Sequence, residues 1–245
     1  KKYIECLFYR ATVSGDDIWQ DRHSAYRRSA LYATDHRAMT PPDDPSPPAI
    51  VIAAGGEGQR IGGNKPVRLL GGRPLLAHAI ENAAAQSDCV AVAVREAGQI
   101  EAGSLPLLCD AAPGRGPISA LASAFAFAAA QGRPEVLLIG CDQPFLPHDL
   151  ATRLGAALDG HKVAMPVSRG KYQPLAALWR VDQTALADYI AQGAASLWRF
   201  ATAQGVVHVE WAETGALDPF ANINDSAALA EAEAHLSTAA RTPAR

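Results

Sequence analysis

Ala49-Ile50-Val51-Ile52-Ala53-Ala54-Gly55-Gly56-Glu57-Gly58-Gln59-Arg60-Ile61-Gly62-Gly63-Asn64-Lys65-Pro66 is the stretch from which the rest of the chain is read. Its short apolar run, bounded by glycine, has the length and composition of a buried parallel strand. The strand empties into a loop with five glycines, one arginine and one lysine. Glycine lets backbone approach a ligand closely and present successive N–H groups as an anion cradle. Arg60 and Lys65 add the charge that a polyphosphate needs. The stretch therefore predicts a triphosphate-holding loop after the first strand of an α/β sheet.

Two better-known phosphate loops fit less well. A Walker loop needs Lys-Ser or Lys-Thr directly after its last glycine; here Asn64 intervenes and Pro66 follows Lys65. A dinucleotide fingerprint needs Gly-x-Gly-x-x-Gly; Gly56 and Gly58 fit, but Ile61 sits where the third glycine belongs. A nicotinamide enzyme and a plain glycine-rich turn without a ligand remain as alternatives at this point.

Outward from the loop, residues 74–86 have helical spacing, with Leu75, Leu76, Ala79, Ile80 and Ala83 on one face and Pro74 suited to the first turn. Residues 90–94 and 105–109 read as the second and third strands, and Gly116-Pro117 opens a helix to about residue 131. A fourth strand, residues 136–139, runs straight into Gly140-Cys141-Asp142-Gln143-Pro144. Alternation at this pace predicts right-handed crossovers and an α/β fold, a Rossmann-like three-layer sandwich with a mostly parallel sheet. Ligands in such sheets lie beyond the carboxyl ends of the strands, where Gly55–Lys65 and Asp142 would meet. Later, residues 175–179 and 206–209 read as strands, and 181–192, 196–204 and 226–236 as helices, the last with Ser226 as N-cap. From residue 237 the chain reads as a flexible tail.

An acid directly after a buried apolar strand is costly unless it meets a cation. Asp142 is thus expected to hold a divalent ion such as Mg²⁺, which takes hard oxygen ligands; the plain alternative is a turn or cap aspartate, although Asp149 already stands at the next helix start. Lys65, with three donors on a flexible stem, suits phosphate oxygens, against the alternative of a solvated surface lysine. Asp110 reads as an ordinary strand-end turn residue on its own evidence. Asn222 and Asn224 flank one residue, so in an extended strand both side chains would share an edge; alternatively Asn224 simply ends the strand.

The opening loop resembles the signature of sugar-nucleotidyltransferase-like enzymes, and specifically of the molybdenum cofactor guanylyltransferases, the MobA family. That family runs from a strand into Leu-Ala-Gly-Gly, an arginine, Met-Gly-Gly and a lysine, then Leu-x-Gly-x-Pro-Leu. This chain has Ala53-Ala54-Gly55-Gly56, Arg60, Ile61-Gly62-Gly63, Lys65 and Leu70-Gly71-Gly72-Arg73-Pro74-Leu75, with Asn64 where the family usually has aspartate. Gly140-Cys141-Asp142-Gln143-Pro144 is similar to the family's Pro-Cys-Asp-x-Pro, and Phe220-Ala221-Asn222-Ile223-Asn224-Asp225 to its Phe-x-Asn-x-Asn-Thr-Pro. The resemblance covers residues 49–236.

The resemblance implies a nucleotidyltransferase fold and transfer of GMP from GTP to molybdopterin with release of pyrophosphate. It implies nucleotide contacts from Ala53, Ala54, Gly55, Gly56, Gly62, Gly63, Lys65, Asp110 and Asp142, with Lys65, Arg60 and Asp142 catalytic and Asp142 holding Mg²⁺. Gln173-Pro174-Leu175-Ala176-Ala177-Leu178 resembles the stretch lining the molybdopterin side, and Lys171, Arg199, Asn222 and Asn224 are the acceptor-side candidates. Other proteins of molybdenum cofactor biosynthesis, or chaperones of its target enzymes, are the further partners implied. Cytidylyl transfer to the same or another phosphorylated acceptor, and a cofactor carrier without turnover, are the competing functions.

The chain has 245 residues, 49% of them hydrophobic, and a net charge of −3; the pI is about 6.2 and the mean hydropathy −0.02. That balance suits one sizeable domain and argues against bulk binding to nucleic acid or membrane, and no apolar run nears the ~20 residues of a membrane helix. Cys6, Cys89, Cys109 and Cys141 show no paired spacing, so reduced thiols and a cytoplasmic protein are expected. Residues 1–48 carry seven of the 22 Lys+Arg and end in a proline-rich linker, Pro41-Pro42-Asp43-Asp44-Pro45-Ser46-Pro47-Pro48. Met39 stands just before that linker as a candidate initiator, and residues 1–38 are expected to be an upstream extension without part in catalysis.

Overall fold

The computed structural model describes residues 46–55, 65–96, 98–100, 102–109, 115–212 and 217–241. Contacts divide the chain into Lys1–Ser46 and Pro47–Arg245, and the described helices and strands all lie in the second unit. The expectations for residues 1–45 and for Gly56, Arg60, Gly62, Gly63 and Asp110 fall outside the described residues.

Three strands form the centre of the sheet: β1 (Ala49–Ala53) and β4 (Val90–Val94), which are apolar throughout, and β6 (Glu135–Gly140), which is apolar after its first residue. A parallel strand covered on both faces reads as an unbroken run rather than an alternation, and all five residues of β4 are buried. Two minimal strands, β2 (Leu69–Leu70) and β3 (Arg73–Pro74), pair with each other as a separate antiparallel hairpin. The main sheet adds β5 (Leu107–Cys109), β7 (Val163–Ser168), β8 (Lys171–Tyr172), β9 (Leu178–Arg180) and β10 (Val206–Trp211). Its order is β10-β7-β9-β6-β1-β4-β5, with β8 paired to β7.

The ladders β1–β4, β1–β6, β4–β5 and β7–β10 are parallel, whereas β9 runs antiparallel between β6 and β7. The sheet is thus mostly parallel, as expected. Side chains alternate along each strand, and the two faces bury different helices. Ile50 and Ile52 lie in one core with α1 (Leu75–Ala84) and α3 (Leu150–Ala157). Ala49 and Val51 lie in the other with α2 (Pro117–Ala130), α4 (Gln183–Ala191) and α5 (Leu197–Gln204). A third cluster joins Leu70 and Leu75 to Ile223 and to Ala232 of α6 (Ser226–Arg241).

Several expectations shift. The strand expected over residues 175–179 is a 3₁₀ turn, Pro174–Ala176, followed by the short β9; Pro174 has no N–H to give a ladder. The cap of α6 is Asp225, whose Oδ1 accepts the Ala228 N–H at 2.8 Å, and Ser226 is the first helical residue. Asp149 stands at the start of α3 but makes no side-chain cap bond. Helix α6 continues to Arg241, so the tail expected from residue 237 is helical for its first turn, with the Ser237 and Thr238 hydroxyls donating to the Glu233 and Ala234 carbonyls. No helix among the described residues is long and apolar enough to cross a membrane.

Candidate active site

Register decides where the site forms. Ala53 at the end of β1 stands opposite Gly140 at the end of β6, so the chain leaves both strands at neighbouring points. Beyond β6 the Cys141 N–H still donates to the Ala53 carbonyl at 3.2 Å. Asp142 comes next, and Lys65 returns from the glycine-rich loop at the head of the 3₁₀ turn Lys65–Val67. Lys65 Nζ donates to Asp142 Oδ2 at 3.0 Å, with side chains 16% and 14% exposed. Its second bond goes to Asn224 Oδ1. An ammonium has three N–H donors, and among the described residues two of them are committed, to Asp142 and Asn224.

Asp142 owes its position to its neighbours. Its backbone carbonyl accepts the Ile223 N–H at 2.9 Å. Its Oδ1 lies over Gly140, where an added Cβ would come within 2.6 Å of that oxygen and 3.1 Å of Leu175 Cδ2. Only glycine leaves this space. At Gly55 the approach is milder, an added Cβ meeting the Arg95 nitrogen at 3.2 Å. Lys65, Asp142, Ala53, Gly55, Leu175 and Pro117 of α2 are among the residues lining one hollow at the carboxyl end of the sheet. Ala54 is wholly buried at the base of the loop, its N–H held by the Ala93 carbonyl at 2.8 Å.

Cys141 is the thiol in this wall. It is 4% exposed, and burial, reinforced by the Asp142 carboxylate and partly offset by Lys65, pushes it up to about 12. A thiol held protonated is a poor nucleophile.

There is a second hollow. Arg169, Lys171, Gln173, Asp218, Asn222 and Glu231 contribute to it, together with Tyr172 and Phe220. Two short segments have residues at both sites. Along one, Gln173 faces the second hollow and Leu175 the first. Along the other, Asn222 faces the second hollow while Asn224 bonds to Lys65. The two asparagines were expected on one edge of an extended strand. Residues 221–224 form no strand, and the two asparagines have different partners, while Ile223 between them, 2% exposed, packs into the α6 cluster. Lys171 and Asn222 both line the second hollow, while Arg199, exposed on α5, lines neither.

Two features escaped the sequence reading. Arg95, at the end of β4, lines the first hollow. Gln143 is buried at 2% exposure with both ends of its amide engaged. A polar residue following a strand-end acid was the available signal for it. Among the described residues no three His, Cys, Asp or Glu side chains gather as a metal set; Asp142 supplies a single hard carboxylate.

A doubly covered, mostly parallel sheet, with a lysine and an aspartate meeting beyond its central strands, defines a nucleotide-handling α/β enzyme. Residues 50–208 match the family described as the MobA-like NTP transferase domain. The chain is 37% identical over 205 residues to a molybdenum cofactor guanylyltransferase of Rhodopseudomonas palustris (strain HaA2), covering 78% of this chain and 92% of that one. It is 38% identical over 192 residues to a molybdenum cofactor guanylyltransferase of Acidiphilium cryptum (strain JF-5), covering 75% and 93%. Among solved structures it resembles molybdopterin-guanine dinucleotide biosynthesis protein A from Archaeoglobus fulgidus, with TM-score 0.65, 22% identity, and 78% and 99% of the two chains covered. It also resembles 2-C-methyl-D-erythritol 4-phosphate cytidylyltransferase from Thermus thermophilus, with TM-score 0.60, 20% identity, and 78% and 99% covered. The chain belongs to the MobA-like NTP transferase family.

Proposed function

We propose that this enzyme transfers GMP from GTP to molybdopterin, forming the guanine dinucleotide cofactor and releasing pyrophosphate. The observation that carries the reading is the meeting of Lys65 and Asp142 beyond β1 and β6 in a chain whose relatives bear that activity in their names. The terminal phosphate of molybdopterin attacks the α-phosphorus in line. A P–O bond forms to the acceptor as the bond to the β-phosphate oxygen breaks, and the pyrophosphate leaves with its electron pair. The attacking phosphate is already ionised, so no side chain has to serve as nucleophile; the protonated thiol of Cys141 accords with this. Catalysis then rests on holding two polyanions in line and offsetting charge as it moves to the leaving group.

Lys65 gives its remaining N–H to a phosphate oxygen while Asp142 and Asn224 fix its direction. The Gly55 amide, with Gly56, Gly62 and Gly63, cradles the phosphates; Arg60 adds charge and Asp110 contacts the nucleoside, roles that rest on the family likeness. Mg²⁺ takes one or two carboxylates and completes its shell with phosphate oxygens and water, so Asp142 beside a triphosphate is a fitting donor, and the bound ion would neutralise phosphate charge. Lys171 and Asn222 in the second hollow take the acceptor.

Pyrophosphate release tests the reading. GTP with molybdopterin and Mg²⁺ should yield pyrophosphate, and CTP in its place little or none. Turnover with CTP alone would assign the chain to cytidylyl transfer, and no turnover with either would leave a carrier.

A further inference from the structure

We propose that Gln143 is a positioning residue that couples the two hollows by strapping the segment from Asp218 to Asn224 onto the turn that carries Asp142. Gln143 is 2% exposed, and a buried amide is costly unless its polar atoms are paired. Its Oε1 accepts the Gly140 N–H at 3.2 Å, and its Nε2 donates to the Phe220 carbonyl at 3.3 Å. The partners fix the orientation of the amide, since a backbone N–H can only donate and a carbonyl can only accept. One side chain therefore joins the end of β6 to Phe220, four residues before the asparagine that holds Lys65.

The segment is secured at both ends. On the far side, Asp218 Oδ1 accepts the Ser168 hydroxyl at 2.8 Å and the Phe220 N–H at 2.9 Å. On the near side, the Ile223 N–H donates to the Asp142 carbonyl at 2.9 Å. Between these ties lie Asn222, facing the acceptor-side hollow, and Asn224, bonded to Lys65. Without the Gln143 bonds, the Phe220 carbonyl and the Gly140 N–H lose their partner, and Asn224 is no longer held in register with Asp142. The proposal deepens the transferase reading and rests on it for its kinetic test alone.

Gln143→Met keeps the volume and removes both bonds. We expect kcat to fall at least tenfold and the acceptor KM to rise, with the GTP KM within about twofold of the parent. In a double-mutant cycle, Gln143→Met combined with Asn224→Ala should be no slower than Asn224→Ala alone, within about threefold, because the glutamine acts through the asparagine. Multiplying effects, or a loss confined to melting temperature and folded fraction, would overturn the proposal. Should Gln143→Met fail to fold, Gln143→Leu likewise offers no acceptor to Gly140 and no donor to Phe220, and the same pattern is expected. Hydrogen exchange reads the strap without any substrate: the Ile223 amide should exchange at least tenfold faster in either variant, with Val51 unchanged. Unaltered Ile223 exchange contradicts the strap, whereas a parent enzyme that makes no product contradicts only the transferase reading.

Discussion

Lys65 and Asp142, 77 positions apart in the chain, stand 3.0 Å apart beyond the carboxyl ends of adjacent parallel strands. The pairing of Ala53 with Gly140 sets this meeting. With side chains 16% and 14% exposed, the pair is open enough to admit a ligand and enclosed enough for its charge to count. Lys65→Ala should lower kcat more than tenfold, about 1.4 kcal/mol or more of transition-state stabilisation, with little change in melting temperature. Steady-state kinetics beside a thermal melt provide the check.

Asn224 and Asn222 should separate kinetically. Asn224 bonds to Lys65, so Asn224→Ala is expected to act on kcat, about tenfold. Asn222 lines the second hollow with Lys171, so Asn222→Ala and Lys171→Ala should raise the acceptor KM several-fold and leave the GTP KM alone. Bisubstrate kinetics, varying each substrate in turn, distinguish the two outcomes.

Gly140→Ala places a methyl group 2.6 Å from Asp142 Oδ1 and 3.1 Å from Leu175 Cδ2. Overpacking of this kind costs about 1–3 kcal/mol, and the carboxylate must leave its place. Lower melting temperature and lost turnover should appear together, with GTP-induced stabilisation in the presence of Mg²⁺ reduced.

The thiol of Cys141, pushed up to about 12 by burial, should resist alkylation at pH 8 in the folded enzyme and react once urea exposes it. Mass spectrometry of iodoacetamide-treated protein reads this site by site. The same shift makes a claim about stability. The folded thiol keeps its proton over a range in which the unfolded thiol loses it, so its contribution is full below pH 9 and falls as pH rises from 9 towards 12. Cys141→Ala should flatten that alkaline decline in a urea titration.

Much of the fold was legible because its central strands are buried on both faces. β1, β4 and β6 read directly as apolar runs, and the helices after them by their spacing. The far half of the sheet was harder. β7 has Pro166 in its middle, which interrupts the strand pattern, and β8 and β9 have two and three residues, too few to show a period. At the site, Lys65 and Asp142 stood out because each follows a recognisable strand or loop. The different partners of Asn222 and Asn224 did not, since they depend on an irregular segment, residues 221–224, whose anchor Ile223 packs against Leu70, Leu75 and Ala232 from distant parts of the chain. Gln143 left even less trace, as a single amide carries no periodicity and its partners are backbone atoms.

The most direct test follows the α-phosphate itself. GTP labelled at the α-phosphorus is incubated with molybdopterin, Mg²⁺ and either the parent enzyme or Lys65→Ala. The expected result is label in the pterin product with one equivalent of pyrophosphate from the parent enzyme, reduced more than tenfold by the substitution. Label that stays in GTP with the parent enzyme, or transfer undiminished in Lys65→Ala, would contradict it.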